Sequence, residues 1–344
     1  MKKTLIAVLA LAAVAACNKT EVVDQPVGNA IAFDNAFVDN ATKSVNDPSW
    51  SNDNMFSDFV VYGYVDGAEL FPGTLVNKTI TNTDLKSAWK YEGTKYWIAN
   101  SIYNFNAVAP ANANWTKTAA SKDGVSLSFV NDGTKDVLFA KPDAITAVAS
   151  QNPMVAFSFR HILSKVKFSF ENAYDVATAS IKVRDIKIHD AYANGNVDLN
   201  ATTAWNNQTG TLALEFGAAT DNEATTDKEN EVLAYGNGVT CESQKELFLI
   251  PGTCPTNKVV VDETETDKKG YKVTFTVELV VGNTVIKSYE HTTYVALDAQ
   301  PGNAYDIKAT ITPDTIDPEN AQEPIEFTVT TVNGWTENNY TQTL

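Results

Sequence analysis

Short apolar runs that alternate with polar residues, bounded by Gly, Asn, Asp and Pro, recur along the whole chain. Alternation with a period of two places successive side chains on opposite faces of a strand, whereas an amphipathic helix needs a period near 3.6. Beyond residues 1–17 no segment shows a long helical stripe, so the pattern predicts an all-β protein. The clearest predicted strands are 56–65, 125–130, 211–216, 271–280, 304–311 and 324–332.

A hairpin is predicted around residues 282 and 283. The strand before it carries large apolar residues at positions of one parity, which places them on one face of a sheet. These residues are Tyr271, Val273, Phe275, Val277 and Leu279. Gly282 and Asn283 then give a two-residue turn signal, because Gly tolerates the positive φ of the turns that join antiparallel strands. The pattern is typical of antiparallel β-sandwiches.

Segment 157–170 shows a shift in its strand alternation that bears on domain organisation. Its apolar residues occupy odd positions up to Leu163 and even positions from Val166 onward. Such a shift requires a bulge, or a chain that leaves one sheet and enters another. A polar loop ends at Pro153, so two β-domains of common length are predicted, 46–153 and 154–344.

Residues 1–17 are predicted to be an export signal. Two lysines precede a mostly apolar run, 4–16, which is shorter than the ~20 residues that a membrane-spanning helix needs. The run ends in Val-Ala-Ala-Cys, which resembles a bacterial lipobox, so Cys17 is predicted to be the lipidated first residue of the mature protein. Acyl chains would hold the protein on a membrane. Ordinary secretion, which leaves Cys17 as a thiol, is the alternative interpretation.

Composition describes a folded, acidic chain of 344 residues. Hydrophobic residues make up 44%, which argues against disorder, and 26 Lys and Arg against 42 Asp and Glu give a net charge of −16. Nucleic-acid partners are disfavoured, because phosphate neutralisation needs a basic surface. The three histidines, His161, His189 and His291, are too scattered to predict a metal site, and no cofactor is predicted. His161 stands among apolar strand residues, so it is predicted to be buried and hydrogen-bonded.

Two cysteines, Cys241 and Cys254, follow the signal segment. A disulfide between them requires the intervening strand and Pro-Gly turn to fold back to a Cα separation of ~5.5 Å. The sequence leaves a disulfide and two separate thiols equally open.

Several short patterns follow one another along the chain. They are the aromatic run 96–110, the element Asp136–Ala140, the strand Phe159–Val166, the tripeptide Leu249–Pro251 and the late residues Gly302, Asn303, Tyr305, Ile325, Phe327 and Trp335. Each pattern is weak by itself. The ordered set resembles the Bacteroidetes fimbrillin family, the subunits of type V pili and their relatives.

This resemblance implies two tandem transthyretin-like β-sandwich domains and no catalytic residues. It also implies export as a lipoprotein to the outer membrane, display on the cell surface, and other fimbrial subunits as partners. Polymerisation in that family resembles donor-strand exchange. A protease removes the N-terminal strand of one subunit, and a strand from the next subunit fills the exposed hydrophobic groove.

The leader, 18–45, contains the predicted exchanged strand. Ile31, Phe33 and Phe37 share one parity, so this strand can bury three large side chains on one face. Each side chain contributes ~1.5–3 kcal/mol when it is fully buried. Its removal would therefore leave a groove that is unfavourable in water, and an incoming strand would restore the contacts.

The predicted processing site follows this strand, in a stretch rich in Asn, Asp and Ser that resembles the exposed loops proteases cut. Lys43 and Ser44 stand where the family carries a basic cleavage residue, usually Arg. A solvated loop lysine that is never cut is the alternative interpretation.

The C-terminal segment 324–344 contains two candidates for the donor strand. Ile325, Phe327 and Val329 alternate as a strand does, and the favoured interpretation is the last strand of the chain's own C-terminal domain. Residues 335–344 are the better donor candidate if they do not dock on the monomer.

Two other function classes remain open. No motif for nucleophilic, metal or nucleotide chemistry occurs, although glycoside hydrolysis needs only two suitably spaced carboxylates. A non-polymerising outer-membrane lipoprotein that binds host or bacterial surface glycans, as an adhesin, anchor or tip subunit, is the main alternative. It would stack sugar rings on exposed tryptophans, for which Trp50 and Trp115 are candidates, whereas Trp97 is predicted to lie in the core.

Overall fold

The structure is a computed structural model. It describes residues 30–38, 56–80, 87–149, 153–173, 179–217, 219–221, 239–254, 258–259, 268–281, 284–317 and 325–332. Every regular element in these ranges is a β-strand, which confirms the predicted all-β class. No helix in the same ranges has the length and apolar character that crossing a membrane requires. Cys17, Lys43 and Ser44 lie outside the described residues, as do Trp50 and residues 335–344.

Ten strands precede residue 162 in the described part of the chain. They are β1 Ala32–Val38, β2 Asp58–Val65, β3 Ala68–Ile80, β4 Ser87–Tyr91, β5 Ile102–Ala109, β6 Trp115–Ser121, β7 Gly124–Val130, β8 Leu138–Ala140, β9 Ile145–Thr146 and β10 Met154–His161. The predicted strands 56–65 and 125–130 coincide with β2 and β7 to within two residues.

The remaining described strands begin at Ser164. They are β11 Ser164–Asn172, β12 Ala179–Ala191, β13 Asn194–Leu199, β14 Thr203–Thr209, β15 Leu212–Gly217, β16 Ala219–Asp221, β17 Val239–Ser243, β18 Leu247–Leu249, β19 Gly252–Thr253, β20 Lys258–Val259, β21 Lys268–Lys269, β22 Tyr271–Val281, β23 Thr284–Val295, β24 Asp298–Ala299, β25 Ala304–Ile311 and β26 Phe327–Val332. Val281 pairs with Thr284 across the predicted two-residue turn, which confirms the β22–β23 hairpin.

The first half of the chain forms a sheet that closes on itself. Its strands follow the order β2-β3-β4-β1-β10-β8-β5-β9, and β2 also pairs with β5. Seven strands therefore make a continuous ring, while β9 pairs with the beginning of β5. A single core cluster belongs to this ring and includes the fully buried rings of Phe59, Phe71, Tyr103, Phe105 and Phe157.

The second half contains two sheets that face each other. One has the order β16-β17-β11-β25-β26, with β18 also on β11, and the other has the order β15-β12-β22-β23. Phe168 of β11 contacts Phe216 of β15, with ring centroids 4.8 Å apart, and Phe170 contacts Phe275 of β22 at 5.3 Å. These rings belong to one core cluster, so the two sheets pack across it.

The two halves also share a sheet. Its order is β14-β13-β7-β6, so a hairpin from the first half pairs with a hairpin from the second half. Leu127 of β7 is opposite Val197 of β13. Both residues lie in a third core cluster that also contains Phe139 of the first half and the connecting residues Ile162 and Leu163. The region around these two connecting residues is called the junction below.

Of the two alternatives that segment 157–170 left open, a bulge or a change of sheet, the structure shows a change of sheet. β10 belongs to the ring and β11 to the second half, so the chain changes sheets between His161 and Ser164. The boundary predicted at residue 153 precedes β10 and therefore lies before this change. Sequence alternation does not reveal that difference, because β10 and β11 both alternate and only their partners assign them to separate sheets.

Candidate strand-exchange site

β1 occupies the position in the ring between β4 and β10. It is parallel to β10, from Ala32 opposite Met154 to Val38 opposite Phe159. On its other side it is antiparallel to β4, with Phe33 opposite Trp89. The ring is closed at this point only through β1, because β4 and β10 are not neighbours in the described sheet.

The apolar residues of β1 and of the position before it explain why this short segment docks. Ile31 and Phe33 are 2% and 3% exposed. The ring of Phe33 lies 5.3–6.2 Å, between centroids, from five other aromatic rings. These belong to Phe59, Phe71, Tyr91, Phe105 and Phe157. Edge-to-face and tilted pairs of this kind add stability beyond the area they bury.

A β-bulge interrupts the alternation that was predicted through residue 37. The register shifts between Asp34 and Phe37, so that Phe37 is opposite Ser158 and Val38 is opposite Phe159. One extra residue in β1 therefore changes the parity after Asp34. The strict two-residue period from Ile31 to Phe37 ends at this bulge, and the structure describes only the backbone of Phe37.

A polar clamp holds the beginning of β1. The backbone N–H of Ile31 donates to the Lys95 carbonyl at 2.8 Å, and the Tyr91 hydroxyl donates to the Ile31 carbonyl at 2.8 Å. The same hydroxyl oxygen accepts from the Lys95 N–H at 3.2 Å, and burial raises the pKa of Tyr91. The sequence does not reveal this clamp, because Tyr91 lies 60 residues from Ile31 and no local pattern links them.

This arrangement suits the binding of an extended segment. Without β1, the two flanking strands would present unpaired backbone groups on either side of an aromatic surface. A strand added there would recover main-chain hydrogen bonds from both neighbours and would bury alternate side chains among the rings. The position of β1 therefore combines a backbone template with an apolar pocket.

The last described strand, β26, docks on its own subunit. It pairs antiparallel with β25 from Phe327 opposite Ala309 to Val332 opposite Ala304. The Phe327 ring contacts Phe168 with centroids 5.7 Å apart. The predicted strand at Ile325–Val329 is thus part of the subunit's own sheet, as the favoured interpretation held.

His161 ends β10 at the junction and is buried, as predicted. Its Nδ1 lies 2.5 Å from Oδ2 of Asp136, which precedes β8. Both residues belong to the patterns that carried the family resemblance. Their contact ties two neighbouring strands of the ring at the end where the chain passes into the second half.

Cys241 and Cys254 are both buried in the core of the second half, and no disulfide joins them in the structure. Cys241 lies on β17 opposite Phe170, whereas Cys254 follows β19. The two thiols therefore occupy separate segments of the same core.

A surface cleft of about 670 Å³ on the second half gathers charged side chains. One of the carboxylates that line it, Glu215, forms an ion pair with Lys187 at 2.7 Å. This ion pair lowers the pKa of Glu215. A general acid of a glycosidase needs a raised pKa instead. None of the described residues lining this cleft is a tryptophan.

The described tryptophans do not form an exposed sugar-binding platform. Trp97 is buried, as predicted, and so is Trp89. Trp115 and Trp205 are half-buried, and their indole N–H groups donate to the carbonyls of Pro110 and Ile162, both at 2.8 Å. These side chains pack at the junction rather than projecting into solvent.

The family comparison and the structural comparison both match fimbrial proteins. A family model described as fimbrillin-like matches residues 41–335. A fimbrial protein from Bacteroides vulgatus is 14% identical and has a TM-score of 0.57, with 90% of this chain and 100% of the other covered. A candidate cell adhesion protein from Bacteroides ovatus is 16% identical with a TM-score of 0.45, over 89% and 97% of the two chains. No curated protein matches the chain significantly.

Proposed function

Because the chain belongs to the fimbrillin-like family, we propose that it is a structural subunit of a cell-surface fimbria that polymerises by strand exchange at the β1 position. The family makes it a fimbrial or adhesin-type surface protein, and other fimbrial subunits are the expected partners. The proposal rests on the position of β1 in the ring. This first described strand closes the ring between β4 and β10 and carries Phe33 among five aromatic rings.

The proposed sequence of events begins at the membrane. Acylated Cys17 anchors the exported protein to the outer membrane, with β1 docked in its own ring. Cleavage at Lys43–Ser44, in the connection between β1 and β2, then separates β1 covalently from the rest of the chain. The break allows β1 to leave without unfolding any other strand.

Loss of β1 provides the driving force for assembly. The described pairs on β10 and β4 lose their partners, and the buried Ile31 and Phe33 leave an apolar cavity. An incoming strand restores both sets of contacts, so the empty ring is unstable in water and the filled ring is stable.

The chain's own C-terminus supplies the proposed donor. Residues 333–344, which include the donor candidate 335–344, come after β26. Fully extended they span about 40 Å, while the nine positions 30–38 that they would replace span about 30 Å. The tail is therefore long enough to fill the β1 position of a neighbour while β26 stays docked on β25.

Intact mass and N-terminal sequencing of protein sheared from native cells, with boiled and unboiled gels, test this function. We expect a mature chain that begins near Ser44 and runs as a heat-sensitive ladder. Lys43→Arg should retain both properties, whereas Lys43→Gln should retain the leader and lose the ladder. A chain that begins at acylated Cys17 and runs only as a monomer would contradict the proposal and would instead suit a tethered anchor, tip or adhesin.

A further inference from the structure

Four large apolar side chains are exposed together at one end of the ring. They are Ile98, Ile102, Val148 and Met154, and each is 48–54% exposed. This end is called the entry pole below. Exposed apolar residues scattered singly need no explanation, whereas a group of them on one surface marks an interaction site.

Backbone hydrogen bonds bring these residues into one group of loops. The N–H of Asn100 donates to the Ala147 carbonyl at 2.8 Å, and the N–H of Ala147 donates to the Ser101 carbonyl at 3.0 Å. Ile102 pairs with Thr146, at the beginning of β5. The loops that carry Ile98, Ile102 and Val148 are thus held together before any partner binds.

The group is further fixed by the β2–β3 turn. Asp66 exchanges two bonds with Ile102, as its N–H donates to the Ile102 carbonyl and its Oδ1 accepts from the Ile102 N–H, both at 2.8 Å. The bond to the carboxylate lowers the pKa of Asp66. Such a surface requires little ordering when a partner covers it.

The entry pole is also where β1 enters the ring. Ala30 bridges Tyr96, two residues before Ile98, and Ala32 is opposite Met154 at the start of β10. From there β1 runs parallel to β10 toward the junction. A replacement strand that keeps this direction uses the same pairs, and the residues preceding it must leave the ring at the entry pole.

We propose that the entry pole is the docking surface for the body of a second copy of this chain, the copy whose C-terminal tail fills the β1 position. This inference rests on the proposed function. A nine-residue donor strand within residues 333–344 begins at residue 336 at the latest, so at most three residues connect it to Val332. Three extended residues span about 10 Å, which holds the donor's body against the pole.

Fimbriae sheared from native cells that express only a variant chain provide the test. Ile98→Asp combined with Ile102→Asp should lower the polymer fraction on unboiled gels by about tenfold or more, because charged groups would be placed in an apolar contact. The matched control is Leu75→Asp combined with Val130→Asp. These residues are as exposed and apolar but lie outside the pole, so the control should keep the ladder.

A photo-reactive amino acid at position 98 gives a second readout that does not depend on a destabilising charge. We expect light to link the pole to a second copy of the chain in fimbriae, and mass spectrometry to identify the joined peptides. Links confined to residues 18–29 of the same chain would show that the leader covers the pole, and would overturn the inference.

Failure of this inference and failure of the proposed function give different results. If the wild-type chain forms a ladder and the pole variant forms the same ladder, the docking surface is wrong and strand exchange stands. If the wild-type chain forms no ladder, strand exchange is overturned and the docking surface falls with it. Thermal melting of each monomer checks that the variants remain folded.

Discussion

Phe33 is the residue on which the docking of β1 depends most. It is 3% exposed and faces five aromatic rings contributed by five different strands of the ring. Phe33→Ala in the unprocessed chain should lower the free energy of unfolding by about 3–5 kcal/mol, because a large cavity would form where several rings meet. Urea unfolding measures this change.

Leu75→Ala is the control for that measurement, since Leu75 lies on β3 of the same ring and is about half exposed. Its effect should stay below about 1 kcal/mol. Equal losses of stability for Leu75→Ala and Phe33→Ala would contradict the central role assigned to Phe33.

Asp190, on β12, makes stability depend on pH. Its Oδ1 accepts from the Lys272 N–H at 3.1 Å, but its Oδ2 is buried without a hydrogen-bond partner in the described structure. Burial raises the pKa of Asp190, so between about pH 4 and that raised pKa the folded state binds more protons than the unfolded state. The stabilisation from Asp190 is therefore complete at low pH and is lost as the pH rises through the folded-state pKa.

Asp190→Asn removes this titration. The free energy of unfolding of the variant, minus that of the wild type, should increase as the pH rises from about 3 and then level off. Urea unfolding over this range measures the difference, and Asp123→Asn, at an exposed turn, serves as the control. A difference that does not change with pH would refute the role of Asp190.

At the scale of elements, β1 is the part of the ring that we propose to be exchangeable. It is the first described strand in the chain, yet it lies between β4 and β10 rather than at an edge. If one cut in the chain released this central strand, the ring could be opened and closed again. The same bonds that stabilise the monomer are then available to an assembly.

A peptide covering residues 30–38 should therefore bind to a chain that lacks residues 18–45 and fill its empty β1 position. We expect the peptide to give a soluble 1:1 complex, because it restores the pairs with β10 and the burial of Ile31 and Phe33. Size-exclusion chromatography with light scattering measures the complex. A peptide carrying Phe33→Asp should not bind. Equal binding of both peptides would contradict the proposed exchange of β1.

At the scale of the whole molecule, the two halves are joined by more than a linker. The sheet β14-β13-β7-β6 and the core around Leu127, Val197 and Ile162 contain residues from both halves. Unfolding either half would expose the shared core of the other. The halves should therefore unfold as one cooperative unit.

Phe216→Leu tests this coupling, since Phe216 is fully buried in the second half and contacts Phe168. A loss of about 1–2 kcal/mol is expected. In hydrogen exchange, the slowest amides of β2 in the first half and of β22 in the second half should accelerate by the same factor. Acceleration confined to β22 would show that the halves open independently, and Val285→Ala on the exposed hairpin should leave both unchanged.

Local alternation accounts for what could be predicted. The strands β2, β7, β15, β22 and β25 follow from a two-residue period, as does the burial of Ile31 and Phe33. The family resemblance added the exchange hypothesis. The bulge after Asp34 was not predicted. The extra residue depends on how β1 fits against β10, and the sequence of β1 alone carries no signal for it.

The sequence by itself determined the all-β class, the positions of β2, β7, β15, β22, β25 and β26, and the family, because these depend on periodicity and on short ordered patterns. Only the tertiary structure decided that β1 closes a ring, that Tyr91 clamps it, and that β7 pairs with β13 across the two halves. The physical reason is that any exposed strand edge can pair with many others. The partner is selected by burying both faces at once, through contacts between residues far apart in the chain.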